Sequence, residues 1–106
     1  MSPANQLRLT GRLVERDMIR YTPAGVPMLN AKLEHHSECV EADRPRQVDL
    51  EMPLVFAGRL AESANRLSVG RGLALTGFLA PRRKASKALV LHVTAYELND
   101  SLNDSN

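Results

Sequence analysis

Apolar and polar residues alternate with period two through most of this 106-residue chain, the pattern of strands with one buried face. Leu7, Leu9 and Leu13 alternate with Arg8, Thr10 and Arg12, interrupted by Gly11. Arg8, Arg12, Arg16 and Arg20 also recur every four residues, which a helix would gather on one stripe. All four are even-numbered, however, so a strand puts them on one face and leaves the odd leucines on the other. Gly11 suits a bend or bulge better than a helix interior. The segment is therefore predicted as a strand, bent near Gly11 and running to about Tyr21.

Thr22-Pro-Ala-Gly-Val-Pro27 is a turn signal, with Pro presetting φ and Gly accepting positive φ. A second strand follows, with Leu29, Ala31 and Leu33 on one face and Asn30, Lys32 and Glu34 on the other. His36 to Arg46 is polar and acidic, contains Pro45, and is predicted as a loop. Val48, Leu50, Met52 and Leu54 then alternate with Gln47, Asp49 and Glu51 in a third strand. The period changes at Ala57, Leu60, Ala61, Ala64 and Leu67, which predict one short helix between Gly58 and Gly70. Leu73 to Leu79 reads as a fourth strand, Pro81 to Ala88 as a basic loop and Leu89 to Tyr96 as a fifth strand. Five strands with a short helix between the third and fourth is the order of an OB-fold, a small all-β Greek-key barrel. This single domain is expected over residues 1–98, with an Asn/Asp/Ser-rich tail fraying over 99–106.

Composition narrows the function classes. Aromatics are only 4% of the chain, two Phe and two Tyr with no Trp, so the core must be built from Leu, Val, Ala and Met. No run approaches the length of a membrane-spanning helix. Met1-Ser-Pro-Ala-Asn-Gln6 lacks the basic and apolar regions of a signal peptide, so a cytoplasmic, membrane-free protein is expected. Cys39 is the only cysteine, which excludes an internal disulfide and a cysteine-based zinc cluster.

The formal net charge of +2 conceals a segregation. Between Ser63 and Tyr96 there is no acidic residue, while Arg66, Arg71, Arg82, Arg83, Lys84 and Lys87 supply six positive charges. Four of them share the loop between the fourth and fifth strands. A charge run in a loop is often merely solvated, but OB barrels bind oligonucleotides with their connecting loops, where such a loop can neutralise phosphates. Between Glu34 and Glu51 the balance reverses, with six acidic residues against Arg44 and Arg46. Asp49 and Glu51 face outward from the third strand, so that strand is a poor platform for nucleic acid.

Other chemistry finds no constellation. His35, His36 and Cys39 superficially suggest a metal, but neighbouring strand residues point to opposite faces, and His92 lies in a distant strand. Gly70-Arg-Gly72 is too short for a phosphate-binding loop, and no nucleophile arrangement is present. No cofactor is implied. Tyr21, Phe78 and Tyr96 are candidate base-stacking rings, although at least one is expected in the core or in a dimer contact.

Several stretches resemble the bacterial primosomal replication protein N family. They are Asn5-Gln-Leu-Arg-Leu-Thr-Gly-Arg-Leu13, Tyr21-Thr-Pro-Ala-Gly-Val-Pro27, Leu33-Glu-His35, Met52-Pro53, Val69-Gly70, Thr76-Gly-Phe78 and Leu89-Val-Leu-His92. The first two also resemble the related single-stranded DNA-binding proteins, whereas Leu33-Glu-His35 and Met52-Pro53 favour the primosomal branch. Those relatives of the general type carry an acidic, aromatic-tipped C-terminal peptide, and Leu102-Asn-Asp-Ser-Asn106 does not resemble one.

The resemblance implies a homodimeric OB-fold protein that binds single-stranded DNA when stalled replication forks restart, assisting the primosomal helicase and helicase loading. It places Arg20 on the DNA-facing side, His36 where some members have Arg, and Arg82, Arg83, Lys84 and Lys87 in the family's lysine-rich loop. Asp49 falls where a member has a DNA-stacking Trp. The alternative is an adaptor that mainly docks a helicase, with the acidic segment from Glu38 to Asp43 meeting a basic partner. The dimer is expected through edge pairing of the first strand.

Overall fold

The computed structural model describes residues 2–99. Its elements run β1 (Leu7–Arg16), β2 (Arg20–Tyr21), β3 (Pro27–Glu41), β4 (Arg44–Ala57), α1 (Arg59–Ala64), β5 (Gly72–Pro81) and β6 (Leu89–Leu98). The strands order as β1-β5-β6-β4-β3-β2, and β1 also pairs with β3, which closes the five long strands into a barrel. Only the short β4–β6 contact at Leu54–Leu91 and Val55–His92 is parallel; the other pairings are antiparallel. This is the OB-fold that the strand order predicts, with the helix in its expected place between the last two hairpins.

Most inward positions are those the alternation selects, although Val55 beside Phe56, Ala74 between Leu73 and Leu75, and Val90 beside Leu91 are buried as well. Leu13, Leu29, Leu33, Leu54, Phe56, Leu73, Leu75, Leu91 and Val93 fill the barrel. Ala61 and Ala64 of α1 pack into the same core, and each fully buried leucine contributes about 1.5–3 kcal/mol. Tyr96 packs edge-on against Phe56, ring centroids 5.7 Å apart, and its hydroxyl pairs with Ser63 Oγ at 2.7 Å. One of the three candidate stacking rings therefore belongs to the core.

Two parts of the chain depart from the sequence reading. The predicted first strand stops at Arg16 and resumes only as the two-residue β2 against Met28 and Pro27. A bulge between Leu13 and Glu15 shifts the register by one residue, so even parity no longer keeps one face. Arg16 turns away from Arg8 and Arg12 and donates to Leu67 O at 3.1 Å and Asn65 Oδ1 at 2.8 Å. The bend was expected at Gly11. Instead Gly11 stays in register with Leu73 and lets the Glu34 carbonyl approach closer than a side chain would permit.

The loop expected over His36 to Arg46 is a β-hairpin. β3 and β4 pair without interruption from Met28–Ala57 to Glu41–Arg44. Ala42 and Asp43 form the turn at φ 53° and 64°, both positive as a tight type I′ connection requires. From Glu38 to Gln47 every residue is exposed, so neither face carries a hydrophobic signal. Pro45 is accommodated because β4 meets β6 only at Leu54 and Val55. The predicted tail lies outside the described residues apart from Asn99, whose amide donates to Gly72 O at 2.9 Å. No helix among the described residues is long and apolar enough to cross a membrane.

Candidate nucleic-acid interface

The loop between β5 and β6 gathers four of the six predicted site residues. It is closed by Arg82 N donating to Ala88 O at 3.0 Å, and turned by Ser86 N donating to Arg83 O at 2.9 Å. Ala88 N donates to Ser86 Oγ at 3.0 Å. Arg82, Arg83, Lys84 and Lys87 are exposed, and none pairs with a carboxylate among the described residues. Their charge is therefore available to a phosphate chain.

Arg82 at the base of the loop reaches the barrel wall. It lines an open groove with Glu15, Asp17, Asn30, Lys32 and Pro53. Arg20 is exposed on β2, in register with Met28, two residues along β3 from Asn30. The fold thus brings Arg20 and the basic loop toward one end of β3.

His36 is placed differently. It sits on the outer face of the β3–β4 hairpin among carboxylates, Nδ1 2.7 Å from Asp49 and Nε2 3.3 Å from Glu34. The hydrogen bond with Asp49, then that with Glu34, raises its pKa above the ordinary 6.5. Four residues nearer the barrel along β3, Lys32 Nζ lies 3.6 Å from Glu15 and 3.7 Å from Glu51. Four carboxylates thus surround Lys32 and His36, and this face repels phosphate where the basic loop attracts it. His35 points the other way, its Nδ1 2.6 Å from Thr10 O and its Nε2 2.8 Å from Ser37 Oγ.

Sequence reasoning missed one feature of the outer surface. Phe78 and His92 lie opposite each other on β5 and β6 and stack, with centroids 5.0 Å apart and planes 3° from parallel. The available signal was the outward parity of His92 between Leu91 and Val93.

Comparison with known proteins fixes the family. The profile of a family described as "Another single-strand binding protein family" matches residues 5–95. The replication restart protein PriB of Bordetella pertussis is 43% identical over 89 residues, covering 84% of this chain and 83% of that protein. The chain belongs to the PriB family. Its fold agrees. The solved structure of PriB from Ralstonia solanacearum is 41% identical with a TM-score of 0.83, covering 92% of this chain and 99% of that one. A small single-stranded DNA-binding protein from Streptomyces coelicolor matches with a TM-score of 0.72 at 16% identity, a likeness of fold alone. Within this PriB-family chain, the first strand has an open edge of the kind the dimer expectation requires. Leu7 to Leu9 pair with β5 on one side and with no strand of the described residues on the other, while Thr10 O is met by His35, Gly11 by the Glu34 carbonyl, and pairing with β3 begins at Arg12.

Proposed function

We propose that this chain is a non-catalytic single-stranded DNA-binding accessory protein of the primosome. It acts in replication restart by holding single-stranded DNA while assisting the primosomal helicase and helicase loading. The observation that carries the reading is the β5–β6 loop, four exposed cations without carboxylate partners among the described residues, on an OB barrel of the PriB family. Arg82, Arg83, Lys84 and Lys87 grip the phosphate chain, and Arg20 extends the basic track along β2. His36 contributes when protonated, by offsetting the charge of Glu34 and Asp49 rather than as a free cation. The protein acts as a homodimer joined through the open edge of β1, which would otherwise stand as an unprotected strand edge.

A salt-series titration with single- and double-stranded oligonucleotides of several lengths tests this reading. Binding is expected to favour single strands and to fall steeply with salt. Equal affinity for duplex, or no salt dependence, overturns it. The carboxylate-rich outer face of β3 and β4 favours a second reading, an adaptor that mainly docks a helicase through a basic surface. Negligible DNA binding alone together with intact helicase stimulation selects the adaptor.

A further inference from the structure

We propose that Phe78 stacked on His92 forms a nucleobase subsite, the inner end of a row that runs Phe78–His92–Val55–Asn30 across the outer face of β5, β6, β4 and β3. The inference rests on the single-strand-binding reading and assigns where bases, as opposed to phosphates, are held.

The row follows from the register. Phe78 lies opposite His92, His92 beside Val55, and Val55 opposite Asn30. Each alternates with inward residues, Leu91, Val93, Leu54, Phe56 and Leu29, although Val55 in the middle of the row is itself buried at 9% exposure. Phe78 nevertheless keeps 39% of its surface exposed. One face of its ring is covered by the parallel His92 imidazole, and a further planar group can extend that stack. A nucleobase has the required flat π-face, whatever its identity.

Polar atoms along the row also await partners. His92 Nε2 and Asn30 Oδ1 are buried side-chain atoms without a hydrogen-bond partner among the described residues. Desolvated groups of this kind are costly unless a ligand completes them. Both atoms are closed off from solvent, so a base edge, which carries both donors and acceptors, completes them only where the neighbouring side chains move aside. Three strand spacings of about 4.8 Å separate Phe78 from Asn30. The base on Phe78 and the edge at Asn30 therefore belong to different nucleotides of one strand.

The row ends beside the cations. Asn30 shares its groove with Arg82, the first residue of the basic loop, and Lys32, and also with the carboxylates of Glu15 and Asp17. Phosphates held by that loop leave their bases within reach of the row. The row also stays clear of the Glu34, Asp49 and His36 cluster farther along the hairpin.

Full-length protein is titrated with oligo-dT and with an abasic oligonucleotide of equal length and charge, at several salt concentrations. Wild type is expected to prefer oligo-dT by at least about fivefold, the lower end of a single base–aromatic stack. Phe78→Leu is expected to bring the ratio close to one while leaving the salt dependence unchanged, and Phe78→Trp to preserve the preference. A second measurement needs no substitution: the His92 Cε1 proton resonance moves upfield on addition of oligo-dT and stays in place with the abasic strand. Salt-sensitive binding of both strands with equal affinity, an unchanged ratio in Phe78→Leu, or a stationary His92 resonance overturns the subsite and leaves single-strand binding standing. Failure of wild type to bind either strand overturns both.

Discussion

His36 stands directly across the β3–β4 ladder from Asp49, its Nδ1 2.7 Å from the carboxylate. Glu34, two residues away on the same strand face, takes the other side of the ring. A histidine that the family resemblance places near DNA is thus held by two anions of its own protein. Its charge acts first on them and only through them on phosphate.

This arrangement sets the pH dependence. The two carboxylates raise the His36 pKa above 6.5, so the charged form persists to higher pH than in a free histidine. The positive charge is present below the raised pKa and is lost as pH rises through it. Affinity for single-stranded DNA is therefore expected to strengthen as pH falls from 8 to 6, with its midpoint above 6.5. The folding contribution of the same contact follows the same sign: full below 6.5, lost as pH climbs through the raised value. Binding titrations across this range check the first point, and His36→Gln is expected to flatten the curve. A flat wild-type profile removes His36 from the interface.

Asp49→Asn is expected to tighten DNA binding at pH 8, where less of the His36 charge offsets the carboxylates. Loss of one exposed carboxylate should gain roughly two- to fivefold at low salt and almost nothing at high salt, because screening erases it. Asp49→Trp separates two effects, since stacking adds about 1–3 kcal/mol that salt does not remove. Equilibrium titrations of both variants at 50 mM and 500 mM salt, where the Debye length is about 14 Å and about 4 Å, provide the comparison. A gain that survives high salt in the Asn variant argues against electrostatic repulsion as the cause.

Arg83→Glu with Lys84→Glu tests the basic loop. Each phosphate contact on a single strand contributes about 0.7 to the slope of log affinity against log salt. Removing two contacts is expected to lower the slope by about 1.4 and to weaken binding at least roughly tenfold at low salt. The circular dichroism spectrum should stay unchanged, because both side chains are exposed and lie outside the strands. Unaltered titrations at low salt would place the phosphate track elsewhere.

The barrel was legible because its strands bury one face, and a buried face writes alternation into the sequence. Val48 to Leu54 shows this most plainly, with Leu54 sealed in the core and Asp49 outside. The hairpin tip from Glu38 to Gln47 buries neither face, so nothing in its residue pattern distinguished strand from loop. The arginines at positions 8, 12, 16 and 20 misled for another reason. A single bulge at Leu13 and Glu15 alters parity, and no residue there announces it. Candidate site residues behaved likewise. The basic loop was legible as a local run of charge, whereas the Phe78–His92 stack joins residues fourteen positions apart and exists only through the β5–β6 register.

Gly77 marks a place where that register depends on the absence of a side chain. A β-carbon there would collide with the His92 carbonyl oxygen, a backbone atom that cannot swing aside. Gly77→Ala is expected to destabilise the fold by about 2 kcal/mol, within the range of overpacking, and to lower Tm by roughly 10 °C. Gly25 provides the contrast. Its φ of 86° strains any side chain, but nothing lies within 4 Å of the added carbon, so Gly25→Ala should cost only about 1 kcal/mol. Thermal melts of the two variants rank them, and equal losses would mean that the close approach at Gly77 relaxes easily.

The hairpin turn offers the opposite change. Ala42 and Asp43 hold φ at 53° and 64°, a region that costs ordinary residues about 1 kcal/mol or more each. Ala42→Asn with Asp43→Gly supplies the pair that a type I′ turn favours and is expected to stabilise the hairpin by about 1 kcal/mol. Ala42→Pro forces φ negative and should open the turn. Because the tip lies beyond the core, the gain can appear in local opening rather than in Tm. Amide exchange along Glu38 to Glu41 reads it directly, slowing about fivefold in the Asn-Gly variant and accelerating in the Pro variant. Unchanged exchange in both variants would show that the tip is not held by its turn, leaving the Glu41–Arg46 ion pair and the cross-strand ladder as what fixes it.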